Sequence, residues 1–125
     1  LEALTKEYRT AILCGPRTKE LAEADFVFRE LDFVRVKGRG GTVKIYDLLG
    51  RRGECPYTES WLDAYQQALG MYRQKEWRQA ADAFAALRSE LPDDGPVAVM
   101  IERVAQMQHK PPKGEWDGVY EQRSK

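Results

Sequence analysis

The sequence predicts an α+β protein: a first part built on an antiparallel hairpin with short helices, then an all-α, repeat-like helical tail. Two observations carry that prediction. Residues 26–50 alternate apolar and polar side chains on either side of a glycine-rich turn, whereas residues 58–109 place apolar side chains at helical spacing. Between them, Gly50-Arg51-Arg52-Gly53-Glu54-Cys55-Pro56 is polar, flanked by glycine and closed by proline, the composition of a linker. The predicted organisation is therefore 1–50, a linker at 51–57, and a helical region at 58–125.

In the first part, Leu1, Leu4 and Tyr8 fall on one face of a helix that ends near Tyr8. Ile12–Cys14 is a short strand candidate. Pro16–Ala24 reads as a short helix with proline in its first turn. From Phe26 to Val36 the chain is rich in β-branched and aromatic residues, with Val34 and Val36 on one side and Arg35 and Lys37 on the other. Gly38-Arg39-Gly40-Gly41 is a turn, and Val43 and Ile45 then alternate with Lys44 and Tyr46 as the strand returns to Gly50. Two strands and two short helices bury too little to be stable alone, so the sequence implies further elements or another subunit packed on them.

In the second part three helices are expected, at 58–74, 77–91 and 96–109. Trp61, Leu62, Tyr65, Ala68, Leu69 and Tyr72 line the first, behind Thr58 as a candidate cap. Ala80, Phe84, Leu87 and Leu91 line the second. Val97, Met100, Ile101, Val104 and Met107 line the third, which opens on Asp93-Asp94-Gly95-Pro96 and is stopped by Pro111-Pro112. Residues 65–92 follow the spacing of a tetratricopeptide repeat through Ala68, Tyr72, Trp77, Ala80, Phe84 and Pro92, with Lys75 where glycine is usual at the turn. One repeat and one further helix are too short for a peptide-binding solenoid. The aromatics Trp61, Tyr65, Tyr72, Trp77 and Phe84 read as core, and Trp116 and Tyr120 as packing back onto the protein.

Whole-chain properties exclude several classes. The 20 basic and 20 acidic residues balance, so no global field draws the chain to nucleic acid or an anionic membrane. No apolar run approaches the length of a membrane span, and no leader peptide is expected because the N-terminus reads as part of a helix. With no initiator methionine, the chain is expected to be a fragment or processed product. Cys14 and Cys55 share no motif with each other or with His109, which argues for reduced thiols and against a metal site; Cys14, in an apolar run, reads as a small buried hydrophobe. Gly38-x-Gly40 does not complete a dinucleotide or Walker loop, and a single Arg-Gly-Gly is too little for an RNA-binding tract.

The stretch Phe26-Val27-Phe28-Arg29-Glu30-Leu31-Asp32-Phe33-Val34-Arg35-Val36-Lys37-Gly38-Arg39, returning through Val43-Lys44-Ile45-Tyr46, resembles the C-terminal hairpin of class III nucleotidyl cyclases, in which a strand runs into Val-Lys-Gly-Lys/Arg. Residues 1–8 resemble the helix end that follows the family's Asn- and Arg-bearing motif. The helical tail, Pro92-Asp93-Asp94-Gly95-Pro96 and Trp116-Asp117-Gly118 resemble the tail after this domain in bacterial adenylate cyclases. The resemblance covers essentially the whole chain. It implies a partial ferredoxin-like cyclase domain and assigns Lys37 to contact with the triphosphate of ATP; Arg39 receives no defined role.

The resemblance further implies a parent enzyme that makes cyclic AMP and pyrophosphate from ATP with Mg²⁺ or Mn²⁺. It would work as a homodimer with a second cyclase domain, in the cytoplasm or as the cytosolic part of a membrane-anchored protein. The family's metal-binding carboxylates and transition-state Asn and Arg would precede Leu1, leaving no catalytic residue in this chain. Asp32, Asp47, Asp93 and Asp94 do not match the metal positions, and surface or capping roles are expected for them. Basic residues around a glycine turn are also common as solvated loop charges that discourage edge pairing. The alternative is a non-catalytic helical-repeat module that binds a protein partner through its tail, or a degenerate cyclase.

Overall fold

A computed structural model describes residues 2–36 and 41–122. Among these, five helices and four strands run in the order α1 (Glu2–Tyr8), β1 (Leu13–Cys14), α2 (Pro16–Ala22), β2 (Phe26–Arg35), β3 (Thr42–Arg51), α3 (Glu59–Arg73), α4 (Trp77–Glu90), α5 (Gly95–His109) and β4 (Tyr120–Glu121). The fold is α+β, with its helical part toward the C-terminus. The chain forms two compact units: one holds everything up to Thr58 together with the segment from Val119 onward, and the other is Glu59–Gly118. Residues 51–57, expected as a linker, group with the first unit. Arg52 donates from its backbone N–H to the Asp25 carbonyl at 3.0 Å and from Nε to the Glu23 carbonyl at 2.7 Å.

The first unit is a four-stranded sheet in the order β1-β3-β2-β4. The expected hairpin is its centre, with β2 and β3 antiparallel from Phe26↔Arg51 to Arg35↔Thr42. Two register shifts interrupt the ladder, one leaving Leu49 extra on β3 and the other leaving Leu31 extra on β2. The sheet is completed by β1, antiparallel to β3, and by β4, parallel to β2, which the sequence does not reveal. Helix α1 contributes Leu4 and Tyr8, both fully buried, to a core with Leu31, Val34 and Ile45. α1 ends as a Schellman motif: Thr10 N–H reaches the Thr5 carbonyl at 3.1 Å, Arg9 N–H reaches Lys6 at 3.3 Å, and Arg9 sits at φ 52°.

In the second unit, the spacing of apolar residues becomes packing of α3 on α4 and of α4 on α5. Tyr65, Ala68, Leu69, Tyr72, Ala80, Phe84, Val97, Met100 and Val104 are fully buried. Trp61 stacks on Tyr65, whose ring meets Phe84 edge-on at 5.6 Å, and Trp61 Nε1 donates to the Leu87 carbonyl at 3.3 Å. At the other end of α3, Tyr72, Trp77 and Trp116 form a three-ring cluster with centroids 5.6–5.9 Å apart. Trp116 Nε1 also donates to the Arg73 carbonyl at 3.0 Å, satisfying one of the open acceptors at the end of α3. Asp94 caps α5 as expected, accepting from Val97 N–H at 3.0 Å.

The α3–α4 turn explains the departure at Lys75. Glu76 N–H bonds the Met71 carbonyl at 2.9 Å and Lys75 N–H bonds Tyr72 at 3.1 Å, a second Schellman motif. Its left-handed position is Lys75, at φ 64°. A β-carbon is disfavoured there, so Lys75→Gly is expected to raise stability by about 1 kcal/mol, read as a higher denaturation midpoint at unchanged slope.

Candidate functional site

The hairpin is the segment on which the sequence concentrates its chemistry, and its inner face holds charged groups that would be costly to bury alone. Arg29 and Asp47 are directly opposite in the β2–β3 register and are 4% and 1% exposed. They form a two-point ion pair, Arg29 Nε to Asp47 Oδ1 at 3.0 Å and Nη2 to Oδ2 at 2.7 Å. Thr10 Oγ1 donates to Asp47 Oδ2 at 2.9 Å, so the segment after α1 is tied to the same carboxylate. The Arg29 guanidinium also lies over the Tyr57 ring, 5.3 Å from its centroid.

A second buried carboxylate lies three residues along β2. Asp32, fully buried, accepts from the Tyr8 hydroxyl at 2.6 Å and from the Phe33 N–H at 2.8 Å. The expectation of surface or capping roles for Asp32 and Asp47 is therefore corrected: both are interior hydrogen-bond acceptors. Asp94 does cap a helix, and Asp93 is exposed. Strand alternation alone already places Asp32 inside with Val34, and Asp47 inside with Ile45. The bulge at Leu31 adds their company: counting back from Val34 by twos would turn Arg29 outward, but the extra residue shifts the phase and brings Arg29 and Leu31 inside as well.

Lys37, the one residue the sequence assigns to substrate, lies outside the described residues, as do Gly38, Arg39 and Gly40. The last described contact before them is the Val36 N–H to the Gly41 carbonyl at 3.4 Å, which continues the β2–β3 pairing toward the turn. Across the strands on the opposite face, Lys44 lies 3.9 Å from Glu30, a loose ion pair. Among the described residues no group of three or more His, Cys, Asp or Glu side chains is arranged to hold a metal ion. Asp47 already meets Arg29 and Thr10, and Asp32 meets Tyr8 and a backbone amide, so neither carboxylate fits a metal-binding role.

Neither cysteine is in a disulfide. Cys14 is buried in β1, and burial, then the negative charge of Asp47, pushes its thiol above the ordinary value. Because the folded state holds that proton more tightly than the unfolded chain, the stability it contributes is full below the unfolded thiol pKa of about 8.5 and is lost as pH rises beyond it. Cys14→Ala is expected to flatten the fall in stability between neutral and alkaline pH. Denaturant midpoints across that range check it.

No family model matches the chain, and no solved structure matches it. A search of curated proteins finds a relationship to an adenylate cyclase. The relative is "Adenylate cyclase, terminal-differentiation specific" of Dictyostelium discoideum, 30% identical over 110 residues that take in 84% of this chain. The chain spans about 5% of that protein's length. No helix among the described residues is long and apolar enough to cross a membrane.

Proposed function

We propose that this chain is the C-terminal portion of a class III nucleotidyl cyclase of bacterial type, residues 1–50 closing the catalytic domain and residues 58–125 forming a tetratricopeptide-like tail. The observation that carries this reading is the antiparallel β2–β3 hairpin, whose sequence runs into Val36-Lys37-Gly38 and returns through Val43-Lys44-Ile45-Tyr46. The similarity to the Dictyostelium adenylate cyclase extends over most of the chain and supports the adenylate cyclase part of this reading.

In the complete enzyme Lys37 would hold the triphosphate of ATP while the ribose 3′-hydroxyl attacks the α-phosphate and pyrophosphate leaves. A flexible glycine beside a strand end lets a lysine ammonium meet a polyphosphate, and a charge-assisted hydrogen bond of this kind contributes about 1.5–3 kcal/mol. The Mg²⁺ or Mn²⁺ of the reaction would be held by carboxylates outside this chain, and a second cyclase domain would complete a homodimeric site. Helix α2 buries none of its residues and leaves Leu21 77% exposed, surface suited to such packing. The helical tail would take any protein partner through its outer surface, since Trp61, Tyr65, Tyr72 and Phe84 are buried in its core. The complete protein would act in the cytoplasm or on the cytosolic side of a membrane. The complete protein incubated with ATP and Mn²⁺ is expected to release cyclic AMP; its failure to do so would favour a degenerate cyclase or an interaction module.

A further inference from the structure

After the helical unit the chain returns to the sheet. At Gly118 the backbone takes φ +76°, a turn that side chains resist, and a β-carbon there would lie 3.4 Å from Arg73 Cγ. The four residues that follow are tied to the outgoing arm of the hairpin and to α1 by several different contacts. Tyr120 and Glu121 pair in parallel with Val34 and Arg35, and Gln122 N–H bonds the Arg35 carbonyl at 3.1 Å. Glu121 forms an ion pair with Arg35 across the strands. The Tyr120 ring meets Tyr8 edge-on at 6.2 Å, and its hydroxyl donates to Glu7 Oε1 at 3.4 Å. Val119 and Gln122 are each 7% exposed.

We infer that Val119–Gln122 is a positioning strap for the hairpin: it holds the end of β2, the residues leading directly into Lys37, against α1 and the sheet. Without it, the end of β2 would pair on one side only, with β3. A two-residue parallel ladder with a solvent-exposed ion pair belongs to the low-stability end of a protein's openings, so the strap can release while the rest of the unit stays folded. Its consequence for ATP rests on the cyclase reading above; its effect on the strand does not. Tyr120 and Glu121 thus act through β2 and touch no reacting atom.

The test is hydrogen exchange on the complete protein carrying this chain, together with ATP kinetics. Tyr120→Ala is expected to speed amide exchange at Val34–Val36 about tenfold, equivalent to about 1.4 kcal/mol of local opening, while α3–α5 keep their protection. Glu121→Arg, which alters an exposed group and spares the core, is expected to speed it about threefold, with the swapped pair Arg35→Glu/Glu121→Arg returning toward the parent rate. Both single variants should raise KM for ATP more than they lower kcat. Unchanged exchange in both would overturn the strap. Faster exchange with unchanged ATP kinetics, in a protein whose Lys37→Ala variant is impaired, would overturn its positioning role. If Lys37→Ala leaves cyclic AMP formation intact, it is the assignment of Lys37 that falls, and if the complete protein forms no cyclic AMP, it is the cyclase reading; in both cases the exchange rates still judge the strap.

Discussion

Arg29→Ala is expected to destabilise the protein by about 3–5 kcal/mol, because it strands the Asp47 carboxylate in the interior without its counter-charge. The two groups sit directly opposite in the hairpin and are almost wholly removed from water, 4% and 1% exposed. Taking both charges out of water costs several kcal/mol each, and their two short contacts offset that cost only while both are present. The loss propagates, since Thr10 shares the carboxylate and Tyr57 shares the guanidinium. A joint replacement, Arg29→Met with Asp47→Leu, removes both charges and should fall far less than Arg29→Ala. Urea denaturation of the three proteins decides it. A loss below about 1 kcal/mol in Arg29→Ala would mean the pair behaves as a surface one.

Phe84→Ala should cost a comparable amount, about 3–5 kcal/mol, through the cavity it leaves between α3 and α4. Phe84 is fully buried and meets Tyr65 edge-on, and Tyr65 stacks in turn on Trp61. The small residues Ala68 and Ala80, both fully buried, let the two helices approach closely, leaving the aromatics to fill the space beside them. Phe84→Leu keeps most of that volume and should lose less than half as much. Thermal and urea unfolding of both variants measure the ratio; equal losses would argue against a cavity as the cause.

The elements were legible because periodicity reports burial directly. The stripes through Tyr65, Phe84 and Met100 are where the helices bury them, and the alternation around Gly38–Gly41 does mark a hairpin. Three features escaped for physical reasons. The bulge at Leu31 reverses the strand's phase, so Arg29 reads as an outward charge and is an inward one. β4 is two residues long, has no alternation to detect, and pairs with residues 86 positions away. Asp47 lies on the returning strand, and its partner is specified only by register, which local sequence cannot supply. The substrate-facing reading of Lys37 came from its motif, and Lys37 lies outside the described residues.

The most direct measurement is therefore on Lys37 itself. In the complete protein, Lys37→Ala should lower turnover of ATP to cyclic AMP roughly ten- to hundredfold and weaken ATP binding with it, the loss expected for one charge-assisted hydrogen bond to a triphosphate. Lys37→Arg should retain part of the activity. Cyclic AMP formation at the parent rate in Lys37→Ala would contradict the assignment.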